Sequence, residues 1–209
     1  MALPRSRRLA RPTVTDGGTE YGTLLVQLDR WSADAHARHP GVIPCRLGCT
    51  ACCHGPFDIS AADAELLGQG LQMLEPGVRA GVRERAGRLL TAMQRAAPEW
   101  GPPWHIEDIG EDRFDELVES LASEPCPLLG ADGGCLVYAH RPAVCRMMGL
   151  GMRTPEGDID NACPIQHQFP EYTALPPQRF DLAAFEREEE RLIVRAGGAE
   201  TTIAAVAGA

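Results

Sequence analysis

Aromatic residues are scarce in this chain, at 5% of 209 residues. Long apolar runs are missing as well. No stretch approaches the roughly 18 consecutive apolar residues that a membrane-spanning helix requires, so no membrane partner is expected. Cations are also in deficit, with 20 Lys and Arg against 29 Asp and Glu and a net charge of −9. Binding to nucleic acid or to anionic lipid favours clustered positive charge, so neither partner is expected. The opening Met-Ala-Leu-Pro-Arg-Ser-Arg-Arg is basic, but the apolar segment of a secretory signal does not follow it. These features predict a protein that stays in the cytoplasm.

In place of aromatics there are 22 Gly, 17 Pro and 8 Cys. Such a mixture implies many irregular loops, which need something to hold them. Cytoplasmic thiols are kept reduced, so the eight cysteines point to metal ligation or redox chemistry rather than to four disulfides.

Residues 1–18, rich in Arg, Pro and Gly, read as a flexible arm. Leu24, Leu25, Leu28 and Trp31 recur at helical spacing and predict a first helix over 20–37. Ser60 followed by Asp63 has the form of a helix start, with Leu66, Leu67, Leu71 and Leu74 as the apolar side and Pro76-Gly77 as the stop. A further helix over 78–96 would turn Val78, Val82, Leu89, Leu90 and Met93 inward. Residues 97–106, with two Trp and three Pro, predict a rigid loop. Short and longer helices are expected over 111–123 and 178–196, and a tail from 198 to 209 that frays. No strand pattern is strong. The fold class is therefore mainly α: a small single domain over 19–197, its helices surrounding irregular cysteine-rich metal-binding loops.

Cys45, Cys49, Cys52 and Cys53 fall in one short string, Cys-Arg-Leu-Gly-Cys-Thr-Ala-Cys-Cys-His. Close spacing lets one loop aim several thiolates at a point, and thiolates are the soft anionic ligands that zinc and iron–sulfur centres prefer. Cys126, Cys135, Cys145 and Cys163 are spread more widely and need the fold to gather them. A lone cysteine is usually a small buried hydrophobe; eight, half of them in one string, are metal-ligand candidates. They are enough for two four-thiolate sites, or for one site with spare thiols. Because Cys52 and Cys53 are neighbours in the chain, their side chains tend to diverge and to serve different metals, or only one of them ligates.

The first string, followed by Cys126-Pro127-Leu128, Cys135-Leu-Val-Tyr138 and Arg141-Pro142-Ala-Val-Cys145-Arg146, resembles the YkgJ-type cysteine-cluster family of zinc- or iron-chelating domains. The resemblance spans roughly residues 42–165. It implies a bacterial cytoplasmic metal-binding domain with its ligands on the eight cysteines. Met147, Met148 and Gly149 stand where many relatives carry Phe-Pro or a further cysteine. Flagellin lysine methylase is similar in this kind of domain, which links it to methyl transfer and an iron–sulfur centre.

Around the cysteines, Arg141 and Arg146 have two readings: donors to thiolate sulfur, or ordinary ion pairs with acidic side chains. Tyr138 is expected to pack its ring beside the cluster. His54, His140 and His167 are lesser ligand candidates, and His36, His39 and His105 read as solvated or loop residues. Met147 and Met148 read as packing residues, and the glutamates from 186 to 190 as a solvated helix face. Cys-x3-Cys-x2-Cys at 45–52 also matches the cluster motif of radical S-adenosylmethionine enzymes, but the long alternation of strands and helices those enzymes need is missing. No Ser-His-Asp set, phosphate loop or dinucleotide fingerprint stands out. Three functions remain in view: a structural or metal-handling metal-binding protein, an iron–sulfur redox or methyl-transfer enzyme, and a metal-stabilised adaptor for a protein partner.

Overall fold

In a computed structural model of the chain, residues 19–46 and 48–209 are described. The expected arm at 1–18 lies outside them. Helix α1 (Glu20–Arg38) opens on Thr19, whose hydroxyl accepts from the Gly22 N–H, and buries Leu24, Leu25, Leu28, Trp31 and Ala35 along one stripe. A two-residue strand β1 (Asp58–Ile59) leads into α2 (Ala61–Gln72), where the Ser60 side chain caps the Asp63 N–H as its spacing foretold. The stop falls at Met73, and Pro76 opens the next helix, α3 (Pro76–Ala96), where its missing N–H costs nothing. Val82, Leu89 and Met93 are buried along α3, whereas Val78, expected inside, is 40% exposed in the first turn.

The rigid loop at 97–106 is built on aromatic packing. Trp100 meets Trp104 edge-on at 5.2 Å and Phe114 at 5.8 Å, and its ring N–H donates to the His105 carbonyl at 2.9 Å. Phe114 lies on α4 (Glu111–Ser120), which ends sooner than residue 123.

After α4 the chain runs through turns to a short helix α5 (Ala143–Met147). A hairpin of β2 (Met152–Thr154) and β3 (Gly157–Ile159) follows, then α6 (Pro170–Thr173) and β4 (Gln178–Arg179), which pairs parallel to β2. Helix α7 (Leu182–Arg195) starts on an Asp181 cap, so residues 178–179, expected to be helical, belong to a strand instead. These strands are two or three residues long, too short for a period-2 pattern to register.

The tail corrects the expectation of fraying. Residues 201–202 form β5, antiparallel to β1, and α8 (Ile203–Gly208) follows on a Thr202 cap. Ile203, Ala204 and Ala207 are buried. A Cβ on Gly208 would stand 3.0 Å from Leu90 and 3.7 Å from Ala86. Small side chains thus let α8 lie tightly on α3, and the last residues complete the core.

Three apolar clusters result. One gathers α1 with Tyr172 and Phe185; a second joins Leu67, Val82, Leu128 and Ile203; a third holds the two tryptophans, Phe114 and Met93. The first two contain cysteines and the third contains none. Among the described residues, no helix is long and apolar enough to cross a membrane.

Candidate metal centre

The first cysteine string folds as successive turns. The Cys49 N–H donates to the Arg46 carbonyl and the Cys53 N–H to the Thr50 carbonyl, both at 2.9 Å. The second region is then laid against it. Cys126 donates its N–H to the Cys53 carbonyl at 2.9 Å, Gly55 donates to the Glu124 carbonyl at 2.6 Å, and His54 bridges to Pro125 between them. Gly133, at φ +79°, presses on the first loop: a Cβ there would lie 3.3 Å from the Gly48 carbonyl oxygen. Only glycine takes this backbone conformation easily and leaves that space free.

Cys145 arrives on α5, and four acidic or basic groups fix its approach. Asp63, buried on α2, accepts the Ala143 N–H at 2.9 Å. Arg141 and Arg146 share the carboxylate of Asp29 on α1, Arg141 at 3.1 Å and Arg146 in a shorter contact. Arg146 is buried and also donates to the carbonyls of Arg141 and Ala139 at 3.0 and 2.9 Å. Its role is therefore the ion pair and a clamp on the loop. Arg141 makes the ion pair, and toward the sulfurs it contributes charge rather than a hydrogen bond. Its guanidinium carbon sits 4.3 Å above the Tyr138 ring, it lines the cysteine cavity, and its charge favours the thiolates of Cys52, Cys135 and Cys145. Its buried Nε has no hydrogen-bond partner.

The cavity so formed measures about 170 Å³ and is lined by Cys45, Cys49, Cys52, Cys53, Cys126, Cys135 and Cys145. Seven of the eight cysteines meet there, from strings separated by some 70 residues of chain. Cys163 stands behind the wall beside Cys45 and Tyr172, buried in the α1 cluster. Tyr172 donates to the Gly149 carbonyl at 2.5 Å and lies 3.8 Å from the Cys45 sulfur. All eight cysteines are free of disulfides.

Burial pushes the Cys45 thiol up to about 11 and the Cys126 thiol up to about 12. Burial likewise raises Cys135 and Cys145. The hydrogen bond between Cys52 and Cys53 raises Cys52 and holds Cys53 below its ordinary value. Burial thus favours the neutral thiol at most of these sulfurs.

Two residues that α1 contributes to the cavity wall were not expected. His36 and Ser32 of α1 line it, and Asp29 lies on the same helical face. The i, i+3, i+7 spacing of 29, 32 and 36, set beside the apolar stripe, is the signal in the sequence that would have found them. His54, His140 and His167 do not line the cavity. His140 packs instead against Gly70 of α2, and burial depresses its pKa. Tyr138 and Met148 line it, while Met147 packs against the α1 cluster.

The donor set suits a soft metal in kind. Among the described residues, however, no three His, Cys, Asp or Glu side chains are drawn up to the spacing of a finished metal site. The sulfurs surround the cavity.

Residues 44–164 match the model of the CxxCxxCC family, described as "Putative zinc- or iron-chelating domain". No curated protein and no solved structure matches the chain. The match takes in more than half of the chain and all eight cysteines, and the chain belongs to this family.

Proposed function

From membership of this family, we propose that the protein uses Cys45, Cys49, Cys52, Cys53, Cys126, Cys135, Cys145 and Cys163 to hold zinc or an iron–sulfur centre, in a structural or metal-handling role. The observation that carries this reading is the convergence of seven free cysteines, from two distant stretches, on one cavity. A thiolate-bound centre would supply a cross-link between the two stretches. The chain's own residues prepare it: Asp63 and Asp29 fix the helix that carries Cys145, the Cys126–Cys53 backbone bond fixes the register of the two loops, and Arg141 offsets thiolate charge. Binding energy in such a site is folding energy for the loops around it.

Free thiols in such number suit a reducing compartment, and we place the protein in the cytoplasm. An iron–sulfur redox or methyl-transfer enzyme is the second reading. It is favoured by the side of the cavity where His36, Tyr138 and Arg141 stand next to the sulfurs, polar groups that a closed structural clip does not need. A metal-stabilised adaptor for a protein partner rests on the same loops without that chemistry.

Purification without oxygen, with iron, zinc and acid-labile sulfide counted per chain beside the visible spectrum, tests the reading. Matching iron and sulfide in a coloured protein would establish a cluster and favour the enzyme. Zinc in a colourless protein would favour the structural clip. Neither metal, with all thiols freely reactive, would sink the proposal.

A further inference from the structure

Building on that reading, we propose that the eight cysteines divide into two four-sulfur centres: Cys45, Cys49, Cys52 and Cys163 hold one, and Cys53, Cys126, Cys135 and Cys145 hold the other. Packing divides them first. Cys163 is buried in the cluster of α1, Tyr172 and Phe185, and Cys45 packs against that cluster. Cys126 is buried in the other cluster, among Leu67, Val82 and Ile203, and Cys53, Cys135 and Cys145 all pack against it. No cysteine belongs to both clusters.

Backbone bonds reinforce the second group. The Cys126 N–H donates to the Cys53 carbonyl, and Cys135 bridges back to Leu129, three residues beyond Cys126. Cys145 reaches the same place on α5, and Cys53, Cys126 and Cys135 lie within electrostatic reach of one another and of it. Cys52 also reaches Cys126 and Cys145, so packing and backbone bonds, not charge, define this group. In the first group, the Tyr172 hydroxyl stands between Cys45 and Cys163, and Cys49 and Cys52, which also lie within electrostatic reach of Cys45, complete the set of four. The division runs between Cys52 and Cys53, whose thiols are hydrogen-bonded to one another rather than turned apart, so the two centres would lie side by side. Each group has four thiols, the number that a tetrahedral zinc site or a four-iron cluster takes from cysteine. Each also draws on both ends of the family's matched region, Cys45 to Cys163 and Cys53 to Cys145, so each centre would cross-link distant chain.

The test loads the full chain with NMR-active cadmium, a soft thiophilic probe, and correlates each cadmium signal with the cysteine β-protons coupled to it. Two signals are expected, each connected to one of the two named sets of four. One signal, or a signal connected to cysteines of both sets, would overturn the division while leaving metal binding intact. No bound cadmium would overturn both the division and the metal-binding reading beneath it. Paired substitutions give a second readout on protein shown to be folded by circular dichroism. Cys135→Ser with Cys145→Ser should lose one of two cadmium equivalents, and Cys135→Ser with Cys163→Ser should lose both. If the within-set pair lost both equivalents, or the cross-set pair only one, the division would be wrong.

Discussion

A side chain on Gly149 would run into the sulfur of Cys45. The two residues are about a hundred positions apart in the chain, yet the loop after Cys145 backs directly on the first cysteine of the string. Gly149 also takes φ +94°, a left-handed conformation that costs other residues energy. The loop at Gly149 is thus used for close approach. Gly149→Ala should lower stability by about 1–3 kcal/mol through backbone strain alone, and should displace Cys45 as well. Denaturant unfolding and bound metal per chain check it together. An unchanged midpoint with full metal content would show that the loop gives way without cost.

Asp29 offers a second handle on the same loops. Its carboxylate is the shared partner of Arg141 and Arg146, and the Arg146 side chain is only 2% exposed. Removing one partner of a buried pair strands the other charge, at a cost of about 3–5 kcal/mol. Asp29→Ala should therefore destabilise strongly, although the two carbonyls that Arg146 retains will soften the loss. Asp29→Asn, which still accepts hydrogen bonds, should lie between. A melting temperature for Asp29→Ala within a degree or two of the wild type would refute this account of how α1 holds the Cys145 segment.

Much of the scaffold was legible in the sequence, for identifiable reasons. Leu24, Leu25, Leu28 and Trp31 repeat at the helical period over a long enough stretch to define α1, and Ser60 with Asp63 marks a helix start through a local hydrogen bond. The cysteines singled out by type and number gather as expected, seven of them at one cavity. The tail was misread because Ala204, Ala207 and Gly208 carry little apolar surface, so their value lies in close fit against α3, which depends on a partner the local sequence does not reveal. His36 was misread for a similar reason: it reaches the cavity only because α1 packs against α5. The packing of Cys45 and Cys163 in one apolar cluster and of Cys53, Cys126, Cys135 and Cys145 in another is likewise a tertiary fact.

Tyr21 and Glu189 supply a test of pH dependence away from the sulfurs. The Tyr21 hydroxyl donates to Glu189 at 2.8 Å, joining α1 to α7. Burial, with the charges of Asp63 and Glu186 nearby, raises Glu189 above the usual carboxylate range despite the tyrosine bond. An acid whose pKa is raised by folding binds its proton more tightly in the native state. Its contribution is therefore fully present below the unfolded value and is lost as pH rises through the folded value. Glu189→Gln, which still accepts from Tyr21, should gain stability relative to wild type at pH 7, and the gain should disappear near pH 4. Melting curves for both proteins across that interval decide it. A gain that grew toward acid pH would reverse the sign and exclude burial as the dominant influence on Glu189.

Removing the metal should loosen the molecule unevenly. The cluster of Trp100, Trp104, Phe114, Leu89 and Met93 contains no cysteine and is closed by Ala204 of α8, so its packing does not depend on a bound centre. The loops that carry Cys45 to Cys53 and Cys126 to Cys145 are joined by a handful of backbone bonds, and α5 has only five residues. A thiolate centre would be their principal cross-link. Treatment with a strong chelator under reducing conditions should accordingly abolish slow amide exchange across 45–55 and 126–150, while the middle of α3 stays protected. Local opening of this kind separates cooperative units that differ in stability. Hydrogen exchange read by mass spectrometry, before and after chelation, measures it peptide by peptide. If α3 lost protection in step with the cysteine loops, the chain would be one cooperative unit that needs its metal throughout. If neither region changed although metal had been removed, the cysteine loops would be held by the backbone alone.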